Sequence, residues 1–116
     1  MVNPREGDKI LVLRSGPLNL IRSGAKTMEI RGKRLTPGTY FLRYRGMLYG
    51  SIRLDQPQHI TTTDAWTSLR HEHCVMGDEL PYATPFGLRI LDLETFSIAI
   101  PYRHLRGAIG FARYRQ

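Results

Sequence analysis

Residues 23–34 read SGAKTMEIRGKR, and the middle of this stretch decides how the chain is read. Lys26, Thr27, Glu29 and Arg31 fall within six positions, with Met28 and Ile30 interleaved among them. Successive side chains of a strand point to opposite faces. Residues 27–31 therefore predict a strand with Met28 and Ile30 on a core face. Thr27, Glu29 and Arg31 then share the opposite face, which is functional or solvent-exposed.

The flanking residues support this strand. Upstream, residues 9–13 (KILVL) form a short apolar run of β type, and Ser15-Gly16 reads as a turn. Pro17 suits a first helical position, Leu18, Leu20 and Ile21 offer a buried face, and Gly24 is a natural C-terminal cap. These signals predict a helix of about two turns over residues 17–23, ending just before the polar motif. Downstream, Thr36-Pro37-Gly38 is a turn. Residues 39–45 and 47–54 read as two strands of a hairpin around Gly46. Tyr40, Leu42, Tyr44, Leu48, Ile52 and Leu54 are their inward candidates. Residues 61–63 precede a capped helix that runs to about His73, with Trp66 as a core anchor at helical spacing from Leu69. Residues 76–85 are rich in turn formers. Residues 88–93 and 96–100 predict two further strands, and residues 108–114 a closing one after a loop over 101–107. The expected fold is α+β and mainly β. It is a small, partly open barrel of about six strands with two short helices, in one domain spanning residues 1–116.

Composition narrows the function classes. With 116 residues, of which 41% are hydrophobic and 23% charged, the chain is long enough for one core without disulfide staples. No apolar run approaches the roughly 20 residues of a membrane-spanning helix. The first residues, MVNPREGDK, lack the apolar stretch of a signal peptide. The lone cysteine, Cys74, excludes an internal disulfide and fits a reducing compartment. A cytoplasmic location is expected.

The net charge of +7 is unevenly placed. Residues 1–53 carry 11 Lys/Arg against 3 Asp/Glu, residues 54–94 carry 2 against 7, and residues 95–116 carry 4 against none. Two basic segments that meet in the fold suit a polyanionic partner, of which nucleic acid is the commonest.

The motif carries a resemblance. Gly24-Ala25-Lys26-Thr27-Met28-Glu29-Ile30-Arg31 resembles the G-x-K-T-x-E-x-R signature of the ASCH domain family, named for activating signal cointegrator homology. It lies where that family carries it, after a first strand and a short helix. The stretch from Pro101 to Gly107 resembles the family's P-x-x-x-x-x-G ending. The resemblance implies a PUA-like β-barrel related to RNA-binding modules, with a cleft that takes RNA or a nucleotide; single-stranded DNA is a further candidate partner. Some members are hydrolases, acting on N4-acetylcytidine or on RNA. The amidohydrolase branch has a second threonine where this chain has Glu29, and a carboxylate does not replace an activated hydroxyl without changing the chemistry.

The expected cleft residues are Lys26, Thr27, Glu29 and Arg31, with Arg103 and Arg106 at the rim. Arg31 offers a planar five-donor fork for a phosphate or a stacked base. Tyr44, interleaved with Arg43 and Arg45, is a stacking candidate. If the protein is an enzyme, Lys26 and Glu29 are the acid–base pair. A protein-interaction module with a positive face is a third reading. Neither a metal nor a cofactor is expected. His71 and His73, two apart on a helix, point about 200° away from each other around its axis, and Gly32-Lys33 lacks the spacing of a phosphate-binding loop.

Overall fold

The computed structural model describes Pro4, residues 7–102 and the backbone of residues 111–113. Along the chain run β1 (Lys9–Val12), α1 (Ser15–Arg22), β2 (Met28–Arg31), β3 (Gly38–Tyr44), β4 (Met47–Leu54) and β5 (Gln58–His59). They are followed by α2 (Thr63–Ser68), α3 (Arg70–His73), β6 (Phe86–Pro101) and β7 (Phe111–Arg113). The strands make one curled sheet in the order β2-β6-β4-β3-β1-β7, with β5 also on β6. Among the described residues, only β1 and β3 pair in parallel; the other pairs are antiparallel. The fold is α+β and mainly β, as expected.

Several local expectations need correction. α1 begins at Ser15, where a turn is expected, and Leu20, an expected member of its buried face, is 36% exposed. Residues 86–101 form one strand of 16 residues rather than two shorter ones. No glycine or proline interrupts Asp92-Leu93-Glu94-Thr95, and the curvature is absorbed by register shifts against β4 instead of a turn. The single helix expected to end at His73 is broken at Leu69, which leaves α2 and α3 as separate short helices and brings the total among the described residues to three. Leu48 is buried, but with Ile10, Phe41, Phe96 and Tyr102, not with Ile52 and Leu54. A register shift between Leu42 and Arg43 leaves Tyr49 without a partner on β3, so strand parity changes within β4.

Other signals were read as the chain folds them. Thr62 caps α2 by accepting the Ala65 N–H at 3.1 Å. Gly24 adopts φ +83 just past α1, the left-handed conformation of a C-terminal stop. Leu18 and Ile21 of α1 pack on Leu11, Leu13, Tyr40, Leu42, Ile52, Leu54 and Leu88. Trp66 is fully buried with Met28, Ile30 and Ile60.

Among the described residues, β2 and the end of β1 are not paired with each other in the sheet. β7 pairs with Lys9 to Leu11. The Val12 carbonyl accepts Arg31 Nη2 at 3.0 Å, a side-chain bridge between the two strands. The polar motif lies at this seam.

Candidate functional site

A cleft of about 540 Å³ opens at the seam, within the size range of small-ligand sites. Val12, Leu13, Arg14 and Pro17 form one wall, Lys26 and the β2 residues Glu29, Ile30 and Arg31 the floor, and Val75, Pro81 and Tyr82 the other wall.

The backbone around Lys26 is fixed from three sides. Its N–H donates to Leu20 O at 3.0 Å, the Thr27 N–H to Glu72 O at 2.8 Å, and the Ile90 N–H to Thr27 O at 2.8 Å. The Lys26 side chain is thereby carried inward until only 4% of the residue is exposed. Its Nζ donates to His73 O at 2.5 Å and stands 3.8 Å from Glu29 Oε1. Burial pushes the Lys26 pKa below the ordinary lysine value; the neighbouring Glu29 pulls it back up and Arg31 pushes it further down.

Glu29 is equally buried, at 4%. Its Oε2 receives Arg31 Nε at 2.8 Å and Nη2 at 2.7 Å, whereas Oε1 accepts no hydrogen bond among the described residues. The expectation of a core face and an open face is therefore refined: Met28, Glu29 and Ile30 are all buried, because a wall of the cleft covers the polar face. Two cations against one carboxylate leave the floor with a net positive charge. The ammonium directs one of its three N–H groups to His73 O, so donor capacity remains for a ligand.

His73 explains part of the His71-Glu72-His73-Cys74 run. It is fully buried and stacks on Trp66, with ring centroids 3.9 Å apart at 16°. The Val75 N–H donates to Nδ1 at 2.9 Å, and Nε2 lies 2.8 Å from Trp66 O. A carbonyl can only accept and an N–H can only donate, so these partners select the neutral tautomer protonated at Nε2. Burial pushes its pKa below the ordinary histidine value. His73 thus orients the carbonyl that Lys26 binds. Among the described residues there is no group of three His, Cys, Asp or Glu side chains placed to hold a metal.

Of the residues singled out from the sequence, Lys26, Glu29 and Arg31 come together on the cleft floor. The Thr27 side chain is exposed and does not line the cleft, although its backbone anchors the segment. Tyr44 lies outside the cleft, half-buried against Tyr49, with ring centroids 6.5 Å apart. Arg103 and Arg106 fall outside the described residues.

Two cleft residues escaped the sequence reading. Arg14 is exposed at the start of α1 and has no ion pair among the described residues. Tyr82 is 46% exposed on the opposite lip, where a Cβ at Gly32 would stand only 2.9 Å from its Cδ1. Gly32 therefore makes room for the ring. The only signal for Tyr82 was an aromatic within a turn-rich stretch, next to Pro81.

A solved structure decides the class of this fold. The chain superposes on the crystal structure of a point mutant of ZmASCH from Zymomonas mobilis with a TM-score of 0.72, covering 98% of this chain and 92% of that one. The chain has an ASCH-like fold. Identity to ZmASCH is 13%, so the likeness speaks for the ASCH-like fold and not for the activity. No protein-family profile and no curated protein matches the sequence. Among the described residues, no helix of the ASCH-like chain is long and apolar enough to cross a membrane.

Proposed function

We propose that the cleft binds RNA or a nucleotide, with Lys26 as the central phosphate contact and Glu29, Arg31 and Arg14 around it. The observation that carries this reading is a desolvated ammonium at the floor of an open cleft, with donors to spare. An anion completes its hydrogen bonding and offsets the excess positive charge of the floor. Tyr82, Pro81 and Val75 supply an apolar lip, so a ligand that joins an anion to a planar ring fits both halves. Glu29 Oε1, paired with Lys26 Nζ at 3.8 Å, keeps acceptor capacity that suits an exocyclic amino group on such a ring.

The test is a titration of uridine 5′-monophosphate and of a single-stranded RNA into wild type and Lys26→Met. Methionine keeps the volume, and Glu29 keeps its Arg31 partner. Losing one charge-assisted hydrogen bond of about 1.5–3 kcal/mol should weaken both ligands roughly tenfold to a hundredfold. Equal affinity in the variant would remove the cleft from consideration.

A second reading is a hydrolase using Lys26 and Glu29 as a proton-transferring pair. The depressed Lys26 pKa favours it, because more of the amine is then in its unprotonated, proton-accepting form near neutral pH. The hold of Arg31 on Glu29 Oε2 opposes it, because it occupies one carboxylate oxygen and fixes its orientation. Glu29→Gln separates the readings: under the hydrolase reading, turnover of RNA disappears while binding persists.

A further inference from the structure

The β3–β4 hairpin carries charges and rings that the cleft does not use. Arg45 Cζ lies 5.4 Å from the centroid of Tyr44, Arg22 Cζ lies 5.3 Å from that of Tyr49, and the two tyrosines adjoin each other. Arg22 and Arg45 are exposed, and neither has an ion pair among the described residues. A guanidinium lying over a ring keeps its outward N–H donors for a phosphate, and half-exposed tyrosines give unstacked bases a surface.

The backbone marks the same spot. Arg45 and Gly46 adopt φ +48 and +74 between the paired residues Tyr44 and Met47, the geometry of a type I′ turn. Asparagine, aspartate or glycine is favoured at the first central position; an arginine there is strained. The strained position carries a cation beside Tyr44, and strained residues cluster where function retains them.

The patch adjoins the cleft. Val12 of the cleft wall is the register partner of Arg43, and the Leu13 N–H donates to Arg43 O at 2.9 Å. The hairpin turn therefore stands at the same end of the sheet as the cleft, and neighbouring strands are only about 4.8 Å apart. α1 begins at the cleft wall with Arg14 and ends with Arg22 over Tyr49. It spans about 12 Å.

We infer that Arg22, Tyr44, Arg45 and Tyr49 form a second contact for single-stranded RNA, continuous with the cleft, so that the natural ligand is a strand and not a mononucleotide. This rests on the reading of the cleft as a nucleotide site. A single strand is specified because base stacking on tyrosine needs bases released from a duplex, and because phosphates along a strand match cations on both surfaces.

The probes are a fluorescein-labelled ten-nucleotide oligouridylate and uridine 5′-monophosphate, titrated into wild type, Arg22→Ala, Arg45→Asn and Lys26→Met. Arg45→Asn relieves the turn strain and should raise Tm by a few degrees, so a loss of binding in it is not a loss of fold. Arg45→Asn and Arg22→Ala should each weaken the ten-mer about tenfold and lower the slope of log affinity against log salt by about one. Both should leave the mononucleotide unchanged. Lys26→Met should weaken both probes. Unaltered ten-mer binding in the arginine variants would overturn the inference while leaving the cleft reading intact, and would leave the patch to a protein partner. Dependence on the arginines but not on Lys26 would uphold the patch and sink the cleft reading.

Discussion

At the scale of single residues, the informative groups are those whose surroundings oppose their charge. His73 is held neutral between Trp66 O and the Val75 N–H, with its pKa pushed down mainly by burial. In the unfolded chain it titrates near pH 6.5. Below that pH the unfolded state takes up a proton that the folded state refuses, so stability falls as the pH drops from about 6.5 toward the folded-state value. Glu72 acts in a separate window. Its hydrogen bonds from Arg89 hold its pKa below the ordinary value of 4.5, so its contribution is present above that pH and is lost as the pH falls through the folded value. Urea unfolding across pH should therefore show one decline beginning near 6.5 and another below 4.5. His73→Gln should remove the first decline and keep the second. The substitution should also lower overall stability by about 2 kcal/mol, because the flexible amide does not replace the ring stacked on Trp66 and must be ordered to meet the two backbone partners. A pH profile in the variant with the upper decline intact would show that His73 is not its source.

At the scale of elements, β6 decides the architecture, and it was only half legible. Its residues read as extended, but the apolar spacing changes at residues 94–95 and mimics a break between two strands. In the fold no break falls there: Glu94 and Thr95 pair in continuous register with Ser51 and Gly50. The shifts lie on either side, between Ile90 and Asp92 and between Thr95 and Ile100. The first part of β6 pairs with β2 and β5, and the rest with β4. A bulge and a strand end look alike in one-dimensional spacing. The same blindness misplaced Leu48 relative to Ile52 and Leu54. Features set by local chemistry were readable: the Thr62 cap, the Gly24 stop, the turn at Gly46, and the Lys26, Glu29 and Arg31 row. Arg14 and Tyr82 were not, because they meet the cleft through contacts distant in sequence. Gly50 shows how tightly β4 and β6 approach. A Cβ there would stand 2.2 Å from the Glu94 carbonyl oxygen, far inside van der Waals contact, and backbone cannot step aside as a side chain can. Gly50→Ala should destabilise the protein by about 3 kcal/mol or more. Chemical denaturation measures it. A loss under about 1 kcal/mol, the intrinsic difference between these residues, would mean that the strands separate easily at this point.

At the scale of the whole molecule, β6 and β2 differ in how they are held. β6 is paired along most of its length, whereas β2 pairs with β6 on one side and, among the described residues, is joined to β1 on the other by the Arg31 bridge to Val12. Opening β2 need not open β6, and regions that open separately exchange their amide hydrogens at separate rates. Amides in β6 should thus exchange slowest, through global unfolding, and those of β2 and residues 74–82 faster, through local opening of the cleft. A ligand that binds only the closed cleft stabilises it by RT ln(1 + [L]/Kd), about 2.7 kcal/mol at a hundredfold excess over Kd. Hydrogen exchange with and without a saturating RNA ten-mer should therefore slow β2 and residues 74–82 strongly. The β3–β4 hairpin should follow if the strand also rests on Tyr44 and Tyr49. Amides opposite the cleft in β4 should change only as far as global stability does. Uniform slowing throughout would mean that the ligand selects the folded state without closing the seam. Slowing confined to the hairpin would move the binding site away from Lys26 altogether.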